Sequence, residues 1–308
     1  MLRANLLFVL ALVVAAIGAA SAEAARSSQR IAAYYPEGPI WQGDKLYYAE
    51  MGADRVSVYQ NGATHPFFTQ EGCGPTALAP YGNGFLVLCH LGARVVAVDA
   101  EGHELRRWDR DDAGNRFRDP NDCYADGQGG VYFSDPGLFS HETRPHGYVV
   151  HLAADGSVRR VTGVLWYPNG VYVDGGHAYV DEHMAHRVLR FDIDADGGLS
   201  NQQTFADLDA LVARFQFRDP YPEAGPDGLE RGPNGEMYVA IYGEGRILRI
   251  APDGTYVGSI RTPGRYVTNI AFNSAGDAAT TASFDNLDPP YPGEVRFFGA
   301  AALTARPR

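Results

Sequence analysis

Four oxygen-bearing side chains recur at matched places in the 308-residue sequence, each directly after a proline. Glu37 sits in Tyr35-Pro36-Glu37-Gly38-Pro39-Ile40, and Asn121 in Asp119-Pro120-Asn121-Asp122. Asn169 sits in Tyr167-Pro168-Asn169-Gly170-Val171, and Asp227 in Gly225-Pro226-Asp227-Gly228-Leu229. Two weaker copies, Gly74-Pro75-Thr76-Ala77-Leu78 and Val267-Thr268-Asn269-Ile270-Ala271, complete the set. Taken singly, Pro-Asn-Gly and Pro-Asp-Gly are good turns. Taken together, Glu37, Asn121, Asn169 and Asp227 offer two carboxylates and two amide carbonyls, all hard oxygen donors. Neither a sulfur ligand nor a close histidine pair accompanies them. Such a set suits Ca²⁺ and leaves coordination positions for water or substrate; Mg²⁺, Mn²⁺ and Zn²⁺ remain open. The donors can meet only if the chain carries all the phrases to one axis.

The elements around the phrases supply that axis. About ten residues after each phrase, a glycine or asparagine turn leads into a second β-rich run, such as Gly129-Gly130-Val131-Tyr132-Phe133 or Asn234-Gly235-Glu236-Met237-Tyr238-Val239. A third run follows, such as Arg55-Val56-Ser57-Val58-Tyr59 or Arg246-Ile247-Leu248-Arg249-Ile250, and a fourth short run closes most units. These runs are rich in β-branched and aromatic residues, as strands are, and turn pairs such as Asn61-Gly62 and Asp253-Gly254 separate them. Six such units predict an all-β fold, a six-bladed β-propeller of four-stranded antiparallel blades. The segment around residues 31–35 is expected to close the ring against the last blade.

In that fold the phrase opens the innermost strand of each blade. The loops between second and third strands, and the long inter-blade stretches 109–119 and 205–225, then gather on the same face. Long loops carrying charges, aromatics and prolines on one face predict a covered pocket. His183, in a loop that should overhang the donors, is the best further candidate for lining it. Arg116, His141, His146 and Tyr242 are weaker ones. Asp122 is expected to bond neighbouring backbone.

Composition sets the outer bounds. Thirty-seven acidic against 26 basic residues give a formal charge of -11, which argues against a nucleic-acid partner. Residues 1–22 read as a signal peptide: Arg3, an apolar run over 6–17, and Ala20-Ser21-Ala22 as a small-x-small cleavage site. Residues 23–308 are then one propeller domain, periplasmic or secreted, with no membrane association after cleavage. Of the three cysteines, Cys73, Cys89 and Cys123, an exported setting allows one disulfide. Cys73 with Cys89 is the most local pairing. The absence of a C-x-x-C pair argues against a thiolate zinc site.

The linked stretches Tyr35-Pro36-Glu37-Gly38-Pro39-Ile40-Trp41, Arg116-Phe117-Arg118-Asp119-Pro120-Asn121-Asp122, Tyr167-Pro168-Asn169-Gly170 and Pro226-Asp227-Gly228-Leu229 resemble the gluconolactonase / senescence-marker-protein (regucalcin-like) family. The stretch 114–137 is most similar to its bacterial gluconolactonase branch. The resemblance covers the mature chain and implies one divalent ion at the axis, held by Glu37, Asn169 and Asp227. It implies that Asn121 binds ion or substrate, and that Asp227 is general base or nucleophile in opening a lactone. The small-molecule substrate would also meet His183 and Arg116. One departure stands out: some members carry arginine two residues before the equivalent of Asn121, where this chain has Asp119. Together with the weakly apolar run 278–282, the proline-rich 285–292 and the aromatic insertion 205–221, this hints at a lid and a less sugar-like substrate. A binding propeller that keeps a structural ion is the competing expectation, and a non-hydrolytic enzyme on the same scaffold is a third.

Overall fold

The computed structural model describes residues 29–140, 144–215 and 224–304. Its strands form six four-stranded antiparallel sheets, the six-bladed propeller expected. Five blades use consecutive strands, running outward from the axis. The first is Pro36–Gln42, Lys45–Glu50, Arg55–Gln60 and Ala63–Thr69. The sixth takes Tyr266–Phe272, Ala278–Ser283 and Pro292–Phe298 from the end of the chain. Its outer strand is Arg30–Tyr34, which pairs antiparallel with Pro292–Phe298 from Arg30↔Arg296 to Tyr34↔Pro292. The ring is therefore closed by backbone hydrogen bonds between its two ends, near the position the sequence suggested.

The core consists of six inter-blade layers. Leu86, Leu88 and Val95 of the second blade meet Val131, Phe133 and Val150 of the third. Tyr172 and Val188 of the fourth meet Leu229, Met237 and Leu248 of the fifth. Because successive side chains of a strand point to opposite faces, each blade supplies both of its neighbours. This is why the strands read as near-continuous apolar runs rather than as a half-polar alternation. The small-residue strand Ala278–Ser283 is fully buried. Ala279 packs in a layer with Leu46, Tyr48 and Phe297, against which Trp41 and Tyr59 also lean. Large partners fill the space its own side chains leave, so weak hydrophobicity there is compatible with a central strand.

Cys73 and Cys89 are disulfide-bonded, and Cys123 is free and buried. Among the described residues no helix is long and apolar enough to cross a membrane. The insertion expected over 205–221 begins as the end of the strand Leu199–Asp207 and a helix, Leu208–Phe215. Its remainder, the signal segment 1–22 and His141 lie outside the described residues.

Candidate metal centre

Five of the six phrases are local breaks in a β-ladder, the exception being that of Asn121, whose N–H donates to the Ser134 carbonyl. The pairing of first and second strands shifts register between Glu37 and Ile40, Pro75 and Ala77, Pro168 and Val171, Pro226 and Leu229, and Val267 and Asn269. A bulge inserts residues that oppose nothing on the partner strand and re-aims their side chains. Here Thr76, Asn169 and Asp227 fall in the unpaired stretch, whereas Glu37 and Asn269 still pair with Ala49 and Thr281 at its edge. Proline suits the position because it has no N–H to leave unpaired. Three residues just before that proline, Tyr35, Gly74 and Tyr167, adopt left-handed backbone with φ of 46, 49 and 55°. For the two tyrosines this costs energy that the surroundings must impose.

Buried acids anchor the approach to three of the phrases. Glu50 accepts the Tyr34 N–H at 3.1 Å, and Glu182 accepts the Trp166 N–H at 2.8 Å. Asp135 accepts the N–H groups of Arg118 and Asp119, both at 2.9 Å. Each acid ends the second strand of its blade. Tyr34, Trp166 and Arg118 each stand three residues before Glu37, Asn169 and Asn121. The second strand thus clamps the segment that delivers the axial oxygen. Glu182 also pairs with Arg187. Glu182→Ala would strand a half-buried N–H and an arginine, and is expected to cost about 1–2 kcal/mol in urea denaturation. Glu182→Gln, which keeps an acceptor, should lose less; equal losses would refute the clamp.

Glu37, Asn121, Asn169 and Asp227 line one cavity of about 340 Å³. The end of each blade's second strand or the loop that follows adds to its wall: Met51, His90, Phe139, His183, Tyr242, and from the sixth blade Asn286, Leu287 and Tyr291. Tyr35, Thr76 and Tyr167 complete the lining. Thr76 Oγ1 donates to the Asn121 carbonyl at 2.6 Å. His183 Nδ1 lies 2.9 Å from the Pro226 carbonyl. A carbonyl only accepts, so the bond puts the proton on Nδ1 and ties this ring to the residue before Asp227. Phe139 stands edge-on to Tyr167 and His183 at 5.0 and 5.1 Å. The Tyr35 and Tyr242 hydroxyls are 2.9 Å apart.

The electrostatics of the floor call for a cation. Burial raises the Glu37 carboxyl well above its ordinary range, and the charges of Asp227 and Asp122 raise it further. Asp227 is raised by burial and by Asp122, against which a hydrogen bond from Asn169 works. No lysine or arginine is among the described lining residues. Asn169 Oδ1 is buried without a hydrogen-bond partner, which costs energy unless something electropositive meets it. Two carboxylates that resist joint ionisation and an orphaned amide oxygen fit a hard divalent ion.

Not every candidate reaches this cavity. Arg116 is exposed, and its Nη1 donates to Asp109 at 2.7 Å; it lines a separate surface hollow with Arg94 and Arg107. The expectation that it meets the substrate finds no support, because an adjacent acid on its own hairpin holds it. Arg118 donates to the His146 carbonyl at 3.3 Å. His146 bonds the Leu138 N–H and the Arg144 carbonyl, bracing the loop that carries Phe139. Asp122 accepts the Val171 N–H at 3.1 Å, as expected of it, and lines a hollow at the opposite end of the axis. His90, Tyr35, Tyr167 and Phe139 line the cavity without having been singled out. Tyr35 and Tyr167 had a signal, since both occupy the same slot of a Tyr-Pro phrase. His90 and Phe139 had none, because loop length alone does not say which side chain turns inward.

Comparison with known proteins bears on the fold and the family. A lactonase drp35 of Staphylococcus saprophyticus is 29% identical over 202 residues, which are 62% of this chain and 57% of that protein. An uncharacterised protein of Sulfolobus acidocaldarius is 25% identical over 247 residues, covering 78% of this chain and 82% of its own. Among solved structures, a gluconolactonase from Xanthomonas campestris superposes with a TM-score of 0.66 at 23% identity, over 90% of this chain and 92% of that one. A calcium-binding regucalcin from Agrobacterium tumefaciens gives 0.65 at 19%, over 87% and 92%. At these identities the structures speak for the fold alone. The profile of the SMP-30/Gluconolactonase/LRE-like region matches residues 35–282, most of the propeller, and the chain therefore belongs to that family.

Proposed function

We propose that this chain is a metal-dependent lactonase whose ion sits among Glu37, Asn121, Asn169 and Asp227, with Ca²⁺ the first choice. The observation that carries the reading is the floor of the cavity: two buried carboxylates and an orphaned amide oxygen, with no cationic side chain among the described lining residues. The relatives named lactonase drp35 and the match to the SMP-30/Gluconolactonase/LRE-like region support it. When bound, such an ion polarises a lactone carbonyl and offsets the charge that develops on its oxygen.

The chain's own residues do the rest. Asp227 takes a proton from water, or attacks the carbonyl carbon itself. Asn169 donates to Asp227 and keeps one oxygen of that carboxylate directed. Thr76 holds the Asn121 backbone, so that the Asn121 amide can orient the substrate. His183, tied to the Pro226 carbonyl, fixes the approach to Asp227 and closes one wall with Phe139 and Tyr167. Burial within that wall limits water to what the reaction consumes. The Cys73–Cys89 disulfide accords with a periplasmic or secreted setting.

The test is chelation followed by metal add-back on a panel of lactones. Turnover should vanish on chelation and return with Ca²⁺ or another divalent ion. A metal-loaded protein that opens no lactone would leave a binding propeller or a non-hydrolytic enzyme.

A further inference from the structure

Resting on the lactonase reading, we infer that the substrate is an apolar lactone, aryl-fused or alkyl-substituted, rather than a polyhydroxylated one. Selecting a sugar ring requires several convergent donors and acceptors with bonding capacity to spare. Most polar groups in the described part of this cavity are already engaged, the Oδ1 atoms of Asn169 and Asn286 being the buried exceptions. Its acids and amides form the floor. The Thr76 hydroxyl donates to the Asn121 carbonyl at 2.6 Å. The Nδ1 atoms of His90 and His183 lie against the Asp119 and Pro226 carbonyls at 3.1 and 2.9 Å. The Tyr35 and Tyr242 hydroxyls bond each other, and Asn286 Nδ2 donates to Tyr242 at 3.0 Å. The arginines just before Asn121 are turned away, Arg116 to Asp109 and Arg118 to the His146 carbonyl.

Most of what remains is apolar surface. Phe139, Tyr167, His183 and Tyr242 form an edge-to-face group with centroid separations of 5.0–6.3 Å. Met51, Leu287 and Tyr291 extend the wall. The same loops carry exposed apolar side chains: Leu91 is 64% exposed beside His90, Leu138 63% beside Phe139, and Leu287 77% within the lining itself. Single exposed leucines are ordinary. Leu287, within the lining itself, is exposed apolar surface that a ligand would cover. An alkyl or aryl group would bury that surface, whereas a polyol would have to give up water without replacement hydrogen bonds.

The experiment compares metal-loaded full-length protein on dihydrocoumarin, δ-decalactone, δ-valerolactone and D-glucono-δ-lactone. Specificity constants for dihydrocoumarin or δ-decalactone should exceed that for gluconolactone by about 30-fold or more, in line with the 10- to 200-fold that small apolar groups achieve in a hydrophobic pocket. The preferred member of the pair separates an aryl from an alkyl substrate. Phe139→Ala should lower the apolar-to-sugar ratio about tenfold, and Phe139→Leu should restore part of it; a residue that only braces the fold would reduce both substrates together. Should gluconolactone equal or surpass the apolar lactones while δ-valerolactone is hydrolysed, the inference falls and the lactonase reading stands. Should no lactone be opened, the lactonase reading falls. Calorimetry with the lactams 3,4-dihydroquinolin-2-one and gluconolactam then decides the pocket's preference, and tighter binding of gluconolactam would overturn the inference.

Discussion

Asp227→Asn is expected to lower kcat on any accepted lactone by at least about 10³-fold, because it removes the group that takes the proton or forms the covalent bond. The fold should survive. Asparagine has nearly the same shape, and the native carboxyl is a burden in the metal-free chain: burial and the charge of Asp122 push its pKa well up. A neutral side chain relieves that repulsion. Metal-free Asp227→Asn should therefore melt at or above the temperature of the metal-free wild type, while gaining less from added Ca²⁺. Two results would sink the assignment. One is a variant within about tenfold of wild-type kcat, which lies below the range for a lost acid–base group. The other is a chelated variant that melts well below wild type, which would make Asp227 a structural residue.

The second large effect is on stability, and it depends on pH. In the metal-free chain Asp122 is pushed up to about 7 and Glu230 to about 8, both by burial, and Glu37 and Asp227 are raised well above their ordinary values. In the unfolded chain these carboxyls titrate near 4. Between those values the folded state binds more protons than the unfolded state, so stability falls as pH rises. The stabilisation is fully present below about pH 4 and is lost progressively as pH passes through the raised values, about 7 for Asp122 and about 8 for Glu230. Chelated protein should show a falling Tm from pH 5 to pH 8. Calcium at 100 times its Kd should then contribute about 2.7 kcal/mol, or roughly 5–10 °C for a chain of this size. The gain should be larger at pH 8 than at pH 5, because protons compete with the ion for the same oxygens. A chelated Tm that stays flat or rises across this window would show that these buried carboxyls do not carry the cost described, and the lack of a shift with any divalent ion at pH 8 would show that the cavity floor holds no ion.

Much of this was legible in the chain. The four-strand period follows from turn pairs and apolar runs, which are local chemistry, and the structure reproduces it blade for blade. The phrases were legible as equivalent positions because proline, an oxygen-bearing residue and an apolar run recur in the same order. The pairing of Cys73 with Cys89 was open to a guess from proximity along the chain, and that guess holds. The weak strand Ala278–Ser283 read poorly on its own because its burial comes from Leu46, Tyr48 and Phe297 on other strands.

By itself, then, the sequence determined the repeat and the residues that stand at its inner ends. Strand propensity, turn chemistry and proline's missing N–H act within a few residues and leave their mark in order of position. Only the tertiary structure decided which loop side chains turn inward. Arg116 was drawn off by Asp109 on its own hairpin, while His90 and Phe139 were brought to the cavity by loops from separate blades. The same is true of the charge on Glu37 and Asp227. An isolated carboxylate in solution is ionised at neutral pH, and it takes the closed ring, bringing Glu37, Asp122 and Asp227 together away from water, to make a cation the natural complement of the phrases.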